Sequence, residues 1–219
     1  MCIRDRFTAD HGDFSGEHNM MCKGGVFYDS LTKVPLIISG GPIDHKDLNI
    51  ESPASLIDIM PTILNIQNIE IPNDYQGQIL PIVPHGKARV AAFSEYGAGG
   101  KSYKLEDLKL LPKPLGYHSL IDCLWAREAE GRRKMVRTKD WKFVHDPSGD
   151  KDELYHIAND PWEHYNLAEK KEYQNQLFEM KSHLLEWMIE TEDPVPVALP
   201  DSIGRPKNIE NDPWKHLDK

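Results

Sequence analysis

The fold is decided by the stretch FTADHGDFSGEHNMMCKGGVFYDSLTKVPLIISGG, residues 7–41 of a 219-residue chain. Its last part, KVPLIISGG (33–41), is a short continuous apolar run closed by glycines, which is typical of a buried strand. Its first part, FTA (7–9), is a strand-like lead-in that ends in the adjacent pair Asp10 and His11. Ligands bind just beyond the carboxyl ends of strands in open α/β sheets. The stretch therefore favours an α/β domain with a site in this loop.

Composition and charge narrow the class of protein. Apolar residues make up 39% of the chain and charged residues 28%, which is ordinary for a globular protein. The formal net charge of −9 argues against a general nucleic-acid binder, which needs a basic face. No run of about 18 apolar residues is present, so no membrane span is expected. Three cysteines are too few for a disulfide framework or a cysteine-based zinc site.

The rest of the chain adds further predicted elements. SLIDIMPTILNI (55–66) predicts a helix in which Asp58 caps the first turn, and ARVAAFSEYG (88–97) predicts a strand. RKMVRTKDWKFVHD (133–146) predicts two strands, with which DELYHI (152–157) pairs as a small antiparallel sheet. Apolar residues at spacings of three and four over 167–191 predict a long amphipathic helix.

Two interpretations of Asp10 and His11 follow from their chemistry. A carboxylate beside an imidazole offers oxygen and nitrogen ligands to a divalent cation. The alternative is an Asp/His turn that hydrogen-bonds its own backbone. Spacing alone does not separate the two, because Asp-His-Gly is short and common.

The remaining ionisable residues of the loop have the same ambiguity. Lys23 precedes a glycine pair, which allows close backbone approach, so its ammonium is placed to meet an anion or simply to face water. Asp13, Glu17 and His18 are potential further ligands, with a water-facing loop as the simpler use.

Several ordered blocks resemble the sulfatase family of the alkaline-phosphatase superfamily. Residues 7–41 resemble its carboxyl-side active-site block, F-T-S-D-H-G-D-x-x-G-E-H, then K-G, then F-Y-[DE]-x-x-x-[KR]-V-P-L-I. SLIDIMPTILNI resembles the family's D-x-x-P-T-[IL]-L helix, and QGQILPIV (76–83) resembles the Q-G-x-S-L segment after it. MVRTKDWKFVHD, DELYHIANDPWEHYNLA and the last helix resemble the C-terminal subdomain, so the match runs from about 7 to 196.

The resemblance implies a role for three residues. Asp10 and His11 match ligands of a divalent cation, usually calcium, and Lys23 matches the lysine that binds the sulfate oxygens and stabilises the departing charge. The implied activity is hydrolysis of a small-molecule or glycan sulfate ester, in a periplasmic or secreted setting. Two alternatives remain: a phosphonate monoester hydrolase or phosphodiesterase of the same superfamily, and a non-catalytic homologue.

One expected part of such an enzyme is missing from the sequence. Sulfatases use a formylglycine nucleophile made from Cys or Ser in C/S-x-P-x-R, and this motif is absent here. CIRDR (2–6) and CLWAR (123–127) imitate its spacing without the proline, so we interpret both as coincidences. We expect the formylglycine in a missing N-terminal part, and we expect this chain alone to be an inactive fragment.

The predicted fold class is α/β: part of a mainly parallel sheet with flanking helices, plus a C-terminal subdomain of small antiparallel sheet and long amphipathic helix. Four segments are expected along the chain. They are a non-native leader (1–6), the C-terminal part of a sulfatase α/β catalytic domain (7–130), the antiparallel sheet and helix subdomain (131–192), and an extended tail (193–219).

Overall fold

A computed structural model describes residues 4–40, 43, 49–97, 132–147 and 151–191. Its strands are β1 (Arg4–Thr8), β2 (Phe14–Ser15), β3 (Met21–Cys22), β4 (Leu36–Gly40), β5 (Ala92–Tyr96), β6 (Arg133–Arg137), β7 (Trp141–His145) and β8 (Glu153–His156). Its α-helices are α1 (Asp29–Thr32), α2 (Ile59–Ile66) and α3 (Gln174–Glu190). Short 3₁₀ turns cover Glu17–Asn19, Leu56–Asp58 and Lys171–Tyr173. In this part of the chain, no helix is long and apolar enough to cross a membrane.

The N-terminal sheet pairs β1 with β4 in antiparallel register, with Phe7 opposite Ile37. The strand predicted from KVPLIISGG is confirmed, but its expected burial is wrong. Phe7 is 63% exposed and Ile37 is 60% exposed, because the sheet has two strands within the described ranges and the described residues leave the face with these two side chains largely uncovered. Ile38, on the opposite face, borders a small cavity with Ile63 of α2.

The pairings between described strands are all antiparallel. They form the β1–β4 sheet, the β2–β3 hairpin and a four-stranded sheet ordered β5-β6-β7-β8. The parallel pairings expected of the larger sheet are therefore not represented among the residues that the structure describes.

The C-terminal unit is the four-stranded sheet with α3 packed on it. Both strands predicted from 133–146 are confirmed, as is the third strand from 152–157. The core side chains between sheet and helix are Val136, Phe143, Leu154, Leu177, Met180 and Leu184.

The long helix is confirmed but begins later than its predicted start at residue 167. The Leu167 N–H donates to the Leu154 carbonyl (2.8 Å). The Asn166 side-chain oxygen accepts from the N–H groups of Leu154 and Ala168, 3.0 Å each. These bonds hold the chain along the edge of β8, so α3 starts only after the turn at Lys171–Tyr173.

β5 confirms the strand predicted at 88–97 and lies beside β6, with Phe93 opposite Val136. The strand thus joins a sheet whose other members come after residue 130. The tail expected at 193–219 lies outside the described residues, as do the first three residues of the expected leader. Residues 4–6 of that leader belong to β1.

The helix predicted at 55–66 is confirmed as α2 with a 3₁₀ turn before it, and Asp58 caps the first turn as predicted, as the acidic partner of a capping box with Ser55. The Asp58 carboxylate is fully buried and accepts hydrogen bonds from the backbone N–H groups of Ser55 and Gln78, 2.9 Å each. The Arg89 guanidinium also donates to it, through Nε (2.6 Å) and Nη2 (2.5 Å). The carboxylate is turned toward these partners, so it ties α2 to the segment that follows it.

Candidate active site

The site loop lies between β1 and α1, and Gly12 fixes its first turn. The Gly12 N–H donates to the Leu31 carbonyl at 2.7 Å. A Cβ at this position would lie 1.9 Å from the Ser30 carbonyl oxygen, so only glycine fits against the backbone of α1. The neighbouring His11 is thereby held beside this short helix.

His11 presents one ring nitrogen as an acceptor. Its Nδ1 lies 2.7 Å from the Gly12 carbonyl oxygen, and because a carbonyl only accepts, Nδ1 carries the proton. Nε2 is 3.6 Å from Asp10 Oδ2 and 3.1 Å from Lys23 Nζ, whose ammonium can only donate. The structure thus brings together Asp10, His11 and Lys23, the three residues singled out by the sequence.

Asp10 takes part in a backbone turn while keeping one oxygen toward the imidazole. The His11 N–H donates to Asp10 Oδ1 at 2.9 Å, and this bond lowers the pKa of the Asp10 carboxyl below its usual value. The side chain is 87% exposed. The turn described as the alternative interpretation is therefore present, and it uses Oδ1 and leaves Oδ2 facing His11.

Lys23 follows the β2–β3 hairpin, which folds back toward Asp10 and His11. The hairpin needs positive φ values at Gly16 (124°) and Cys22 (64°). Gly25, two residues later, is buried, and its carbonyl accepts a hydrogen bond from Arg133 of β6. Sequence reasoning missed Arg133, because β6 also carries Lys134 and Arg137 and nothing in its pattern marks Arg133 as the buried charge.

Two of the three further candidate ligands, Glu17 and His18, have structural partners; Asp13 is exposed. The Glu17 carboxylate accepts from the Ser15 N–H at 2.7 Å. The His18 ring stacks on Tyr28 at 3.7 Å between centroids, and burial lowers the pKa of this imidazole. Within the described ranges, no group of three or more His, Cys, Asp and Glu side chains could hold a metal ion.

Asp10 and His11 fit a divalent cation in part. Metal-binding histidines usually donate their second ring N–H to a carbonyl or carboxylate, as His11 does to Gly12. Asp10 Oδ2 and His11 Nε2 then form a pair of converging ligands. Ca²⁺ takes about 6 to 8 ligands, so two described residues cannot complete a site by themselves.

A cleft of about 910 Å³ opens beside these residues. Asp10, His11 and Lys23 line it from the loop, whereas Tyr96 and Arg137 line it from the four-stranded sheet. Its volume lies within the range of small-molecule sites. The loop and the C-terminal sheet therefore border one space.

No protein-family model matches the chain. The chain is 28% identical over 188 residues to the uncharacterized sulfatase YidJ of Escherichia coli (strain K12), covering 86% of this chain and 32% of that protein. It is 27% identical over 197 residues to the Delta 4,5-hexuronate-2-O-sulfatase of Bacteroides thetaiotaomicron, covering 84% of this chain and 34% of that protein. The chain spans about a third of the length of these curated relatives.

Solved structures give the same picture. A protein in complex with its substrate D-glucosamine-2-N,6-O-disulfate is 26% identical, with a TM-score of 0.60 over 88% of this chain and 35% of that chain. The phosphonate monoester hydrolase of Agrobacterium radiobacter is 25% identical, with a TM-score of 0.61 over 85% of this chain and 35% of that chain. These likenesses confirm the α/β fold class.

Proposed function

Since sulfatase relatives cover about 85% of the chain, which looks like a C-terminal portion of a sulfatase, we propose that it forms part of a hydrolase of sulfuric esters. The supporting observation is a convergence of three side chains. His11 Nε2 lies 3.1 Å from Lys23 Nζ and 3.6 Å from Asp10 Oδ2, at the edge of the cleft. The Lys23 ammonium, together with a divalent cation held by Asp10 and His11, would place positive charge where a sulfate group can bind.

Each of the three residues has a proposed role. Lys23 binds the sulfate oxygens and stabilises the negative charge that develops as the ester bond breaks. Asp10 and His11 supply two ligands of a divalent cation, which we propose to be Ca²⁺. When bound, that cation adds positive charge at the sulfate group. The His11 Nδ1–H bond to Gly12 leaves Nε2 as the nitrogen for this use, and Lys23 Nζ, now 3.1 Å from Nε2, would turn from it to the sulfate oxygens when the cation binds.

The chain by itself is proposed to be inactive. Its sequence has no C/S-x-P-x-R motif from which formylglycine is made, and it matches about a third of each curated relative. In the intact enzyme, we expect the nucleophile in the N-terminal part of the sulfatase fold. The described residues then provide the anion-binding half of the active site.

A sulfated glycan is the proposed substrate class. One relative is named as a hexuronate sulfatase, and one solved relative is described in complex with a disulfated glucosamine. The cleft beside Lys23 is large enough for a sugar ring and its neighbours.

Hydrolysis of a phosphonate monoester is the second candidate. It is favoured by the likeness to the Agrobacterium radiobacter enzyme, at 25% identity and a TM-score of 0.61. Lys23 suits either anion, because an ammonium is a point charge without a fixed fork of donors. Because Lys23 accepts either anion, a clear preference for inorganic sulfate over methylphosphonate, or the reverse, would have to come from the other groups of the cleft and would favour the matching candidate.

The proposal is tested by NMR on the ¹⁵N-labelled chain, titrated with inorganic sulfate and, separately, with Ca²⁺. We expect sulfate to shift the amide signals around Lys23 and Ca²⁺ to shift those around Asp10. Lys23→Ala should abolish the first response and Asp10→Asn the second. Lys33→Ala is the matched control, because Lys33 lines the same cleft without belonging to the proposed site.

Two results would contradict parts of the proposal. A sulfate response that survives Lys23→Ala, or that is absent from the wild-type chain, would remove Lys23 from its role. Metal-dependent turnover of an aryl sulfate by the purified chain would show that the described half is active alone.

A further inference from the structure

Arg133 connects the C-terminal sheet to the site loop. Its side chain is buried, with 3% of the residue exposed, and its guanidinium has partners in two distant parts of the chain. Nε donates to the carboxylate of Asp146, directly after β7, and Nη1 donates to the Gly25 carbonyl oxygen at 2.8 Å. One side chain therefore bridges the end of the sheet and the segment that follows Lys23.

The geometry gives the guanidinium one orientation. Arg133 lies opposite Tyr96 in the register of β5 and β6, and Lys134 lies opposite His145, which places Asp146 one position beyond. The buried Asp146 carboxylate pairs with Nε, and the planar fork then directs Nη1 at the loop. Charge-assisted bonds of this kind are stronger than neutral ones, so the Gly25 carbonyl is firmly held.

Packing restricts Gly25 as well. A Cβ there would lie 2.9 Å from the Tyr96 ring and 3.3 Å from Arg133 Nη1. Tyr96 in turn packs with Phe27 and Met135. Residue 25 is therefore confined by contact on one side and by the arginine bond on the other, two positions from Lys23.

We propose that Arg133 is a positioning residue for Lys23: by holding the Gly25 carbonyl, it sets where the ammonium stands relative to His11. The inference rests on the proposed function of Lys23 as the sulfate-binding group. Arg133 itself touches no reacting atom in this account. Its effect passes through two peptide units of the loop.

The test measures the position of Lys23 by its chemistry. Acetylation of the Lys23 amine is followed by mass spectrometry at one fixed pH, with Lys171, at the start of the C-terminal helix segment, as the internal reference. In Arg133→Lys the charge beside Asp146 remains, but a single ammonium cannot donate in both directions of the guanidinium fork. We expect acetylation of Lys23 to become about threefold faster relative to Lys171, since Lys23 is already exposed and local opening would release its Nζ from the 3.1 Å contact with His11 Nε2.

Two further variants keep the test decisive. Val136→Ala removes fully buried volume from the same strand without touching Gly25, so it should lower the melting temperature and leave the Lys23 rate unchanged. Gly25→Ala keeps the Arg133–Asp146 pair and crowds Tyr96, so it should speed acetylation even if Arg133→Lys does not fold. An unchanged rate in Gly25→Ala and Arg133→Lys, or an equal change in Val136→Ala, would overturn the proposal.

Sulfate binding distinguishes this inference from the proposed function. If the wild-type chain binds inorganic sulfate, Arg133→Lys should bind it about tenfold more weakly, as expected for a displaced charge. If acetylation changes as expected but the wild-type chain binds no sulfate, Arg133 still positions Lys23 and the sulfatase role of Lys23 fails.

Discussion

The site loop and the four-stranded sheet use charged side chains in opposite ways. In the loop, Asp10 and His11 are exposed, and their bonds run to neighbouring backbone and to Lys23. In the sheet, Lys142 and Arg133 are buried, and each has a carboxylate partner. The loop therefore leaves its charges open to solvent, whereas the sheet uses its charges to hold other parts of the chain.

Contacts with the buried sheet fix the geometry of the exposed loop. α1 is a single turn and the β2–β3 hairpin has two residues in each strand, so neither is stable alone. The buried cations of the sheet reach both: Lys142 contacts Asp29 at the start of α1, and Arg133 contacts Gly25 after the hairpin. These two contacts therefore position the exposed loop relative to the buried sheet.

Removing the Lys142 charge should have the largest effect. Its ammonium is fully buried, donates to the Phe27 carbonyl (2.8 Å) and pairs with Glu163 (2.6 Å) and Asp29. Lys142→Met leaves two carboxylates without this partner, so urea denaturation should show a loss of about 3–5 kcal/mol in unfolding free energy.

Lys134→Met is the matched control for that experiment. Lys134 pairs with the exposed Glu95 on the neighbouring strand, and such pairs contribute less than about 1 kcal/mol. Equal losses in the two variants would remove the contrast between buried and exposed charges on this sheet. Adding Glu163→Gln to Lys142→Met should recover part of the loss, because one unpaired charge disappears.

Gly12→Ala should have an intermediate effect on stability, and it tests the contrast between loop and sheet by changing the loop. The new Cβ would meet the Ser30 carbonyl at 1.9 Å, so backbone must move. We expect a stability loss of about 1–3 kcal/mol, typical of overpacking, together with NMR shifts of the His11 ring. Ser15→Ala, an exposed position in the same loop, should change neither; if Gly12→Ala also changes neither, α1 does not fix the site turn.

The smallest effect concerns the pH dependence of the C-terminal unit. Burial alone would raise the pKa of Asp152, but Lys181 (2.6 Å) and His145 (2.7 Å) outweigh it and lower the pKa below 3.8. The unfolded chain therefore takes up this proton first, so the stabilisation is present above pH 3.8 and is lost as the pH falls through the folded-state pKa.

Asp152→Asn should remove the contribution of the Asp152 carboxylate to stability. This contribution is less than about 1 kcal/mol, because the ion pairs of Asp152 with Lys181 and His145 are partly exposed. Denaturation curves at several pH values between acid and neutral check it: wild type and variant should differ at neutral pH and converge in acid. A difference that does not depend on pH would assign the effect to packing instead.

Local patterns predicted the elements of the C-terminal unit well. The two strand-like pieces on either side of Lys139-Asp140 predicted β6 and β7, and the spacing of Leu177, Met180 and Leu184 predicted α3. These patterns work because a strand or helix repeats its buried face along the sequence. The start of α3 was missed, since Asn166 binds across to β8 and this contact leaves no periodic trace.

Long-range ionic contacts could not be predicted in this way. Lys142 lies between Trp141 and Phe143 on a strand buried on both faces, which marks it as unusual but does not name Asp29 or Glu163 as partners. Asp10 and His11 were identified as a pair from their adjacency. Their approach to Lys23 depends on the fold of the hairpin. Only the family resemblance placed Lys23 in the same site as Asp10 and His11.

The bonds between loop and sheet also set an order of events during synthesis. Gly25 and Arg133 are 108 positions apart, and Phe27 and Lys142 are 115 apart. At ordinary translation speeds of about 5–20 residues per second, the ribosome needs roughly 5–20 seconds to produce the anchor after the loop has emerged. During this time the nascent loop lacks its hydrogen bonds to Arg133 and Lys142, because the strands that carry these residues have not yet been synthesised. A chaperone or a delay in translation at this stage would act on the part of the chain that carries the proposed site.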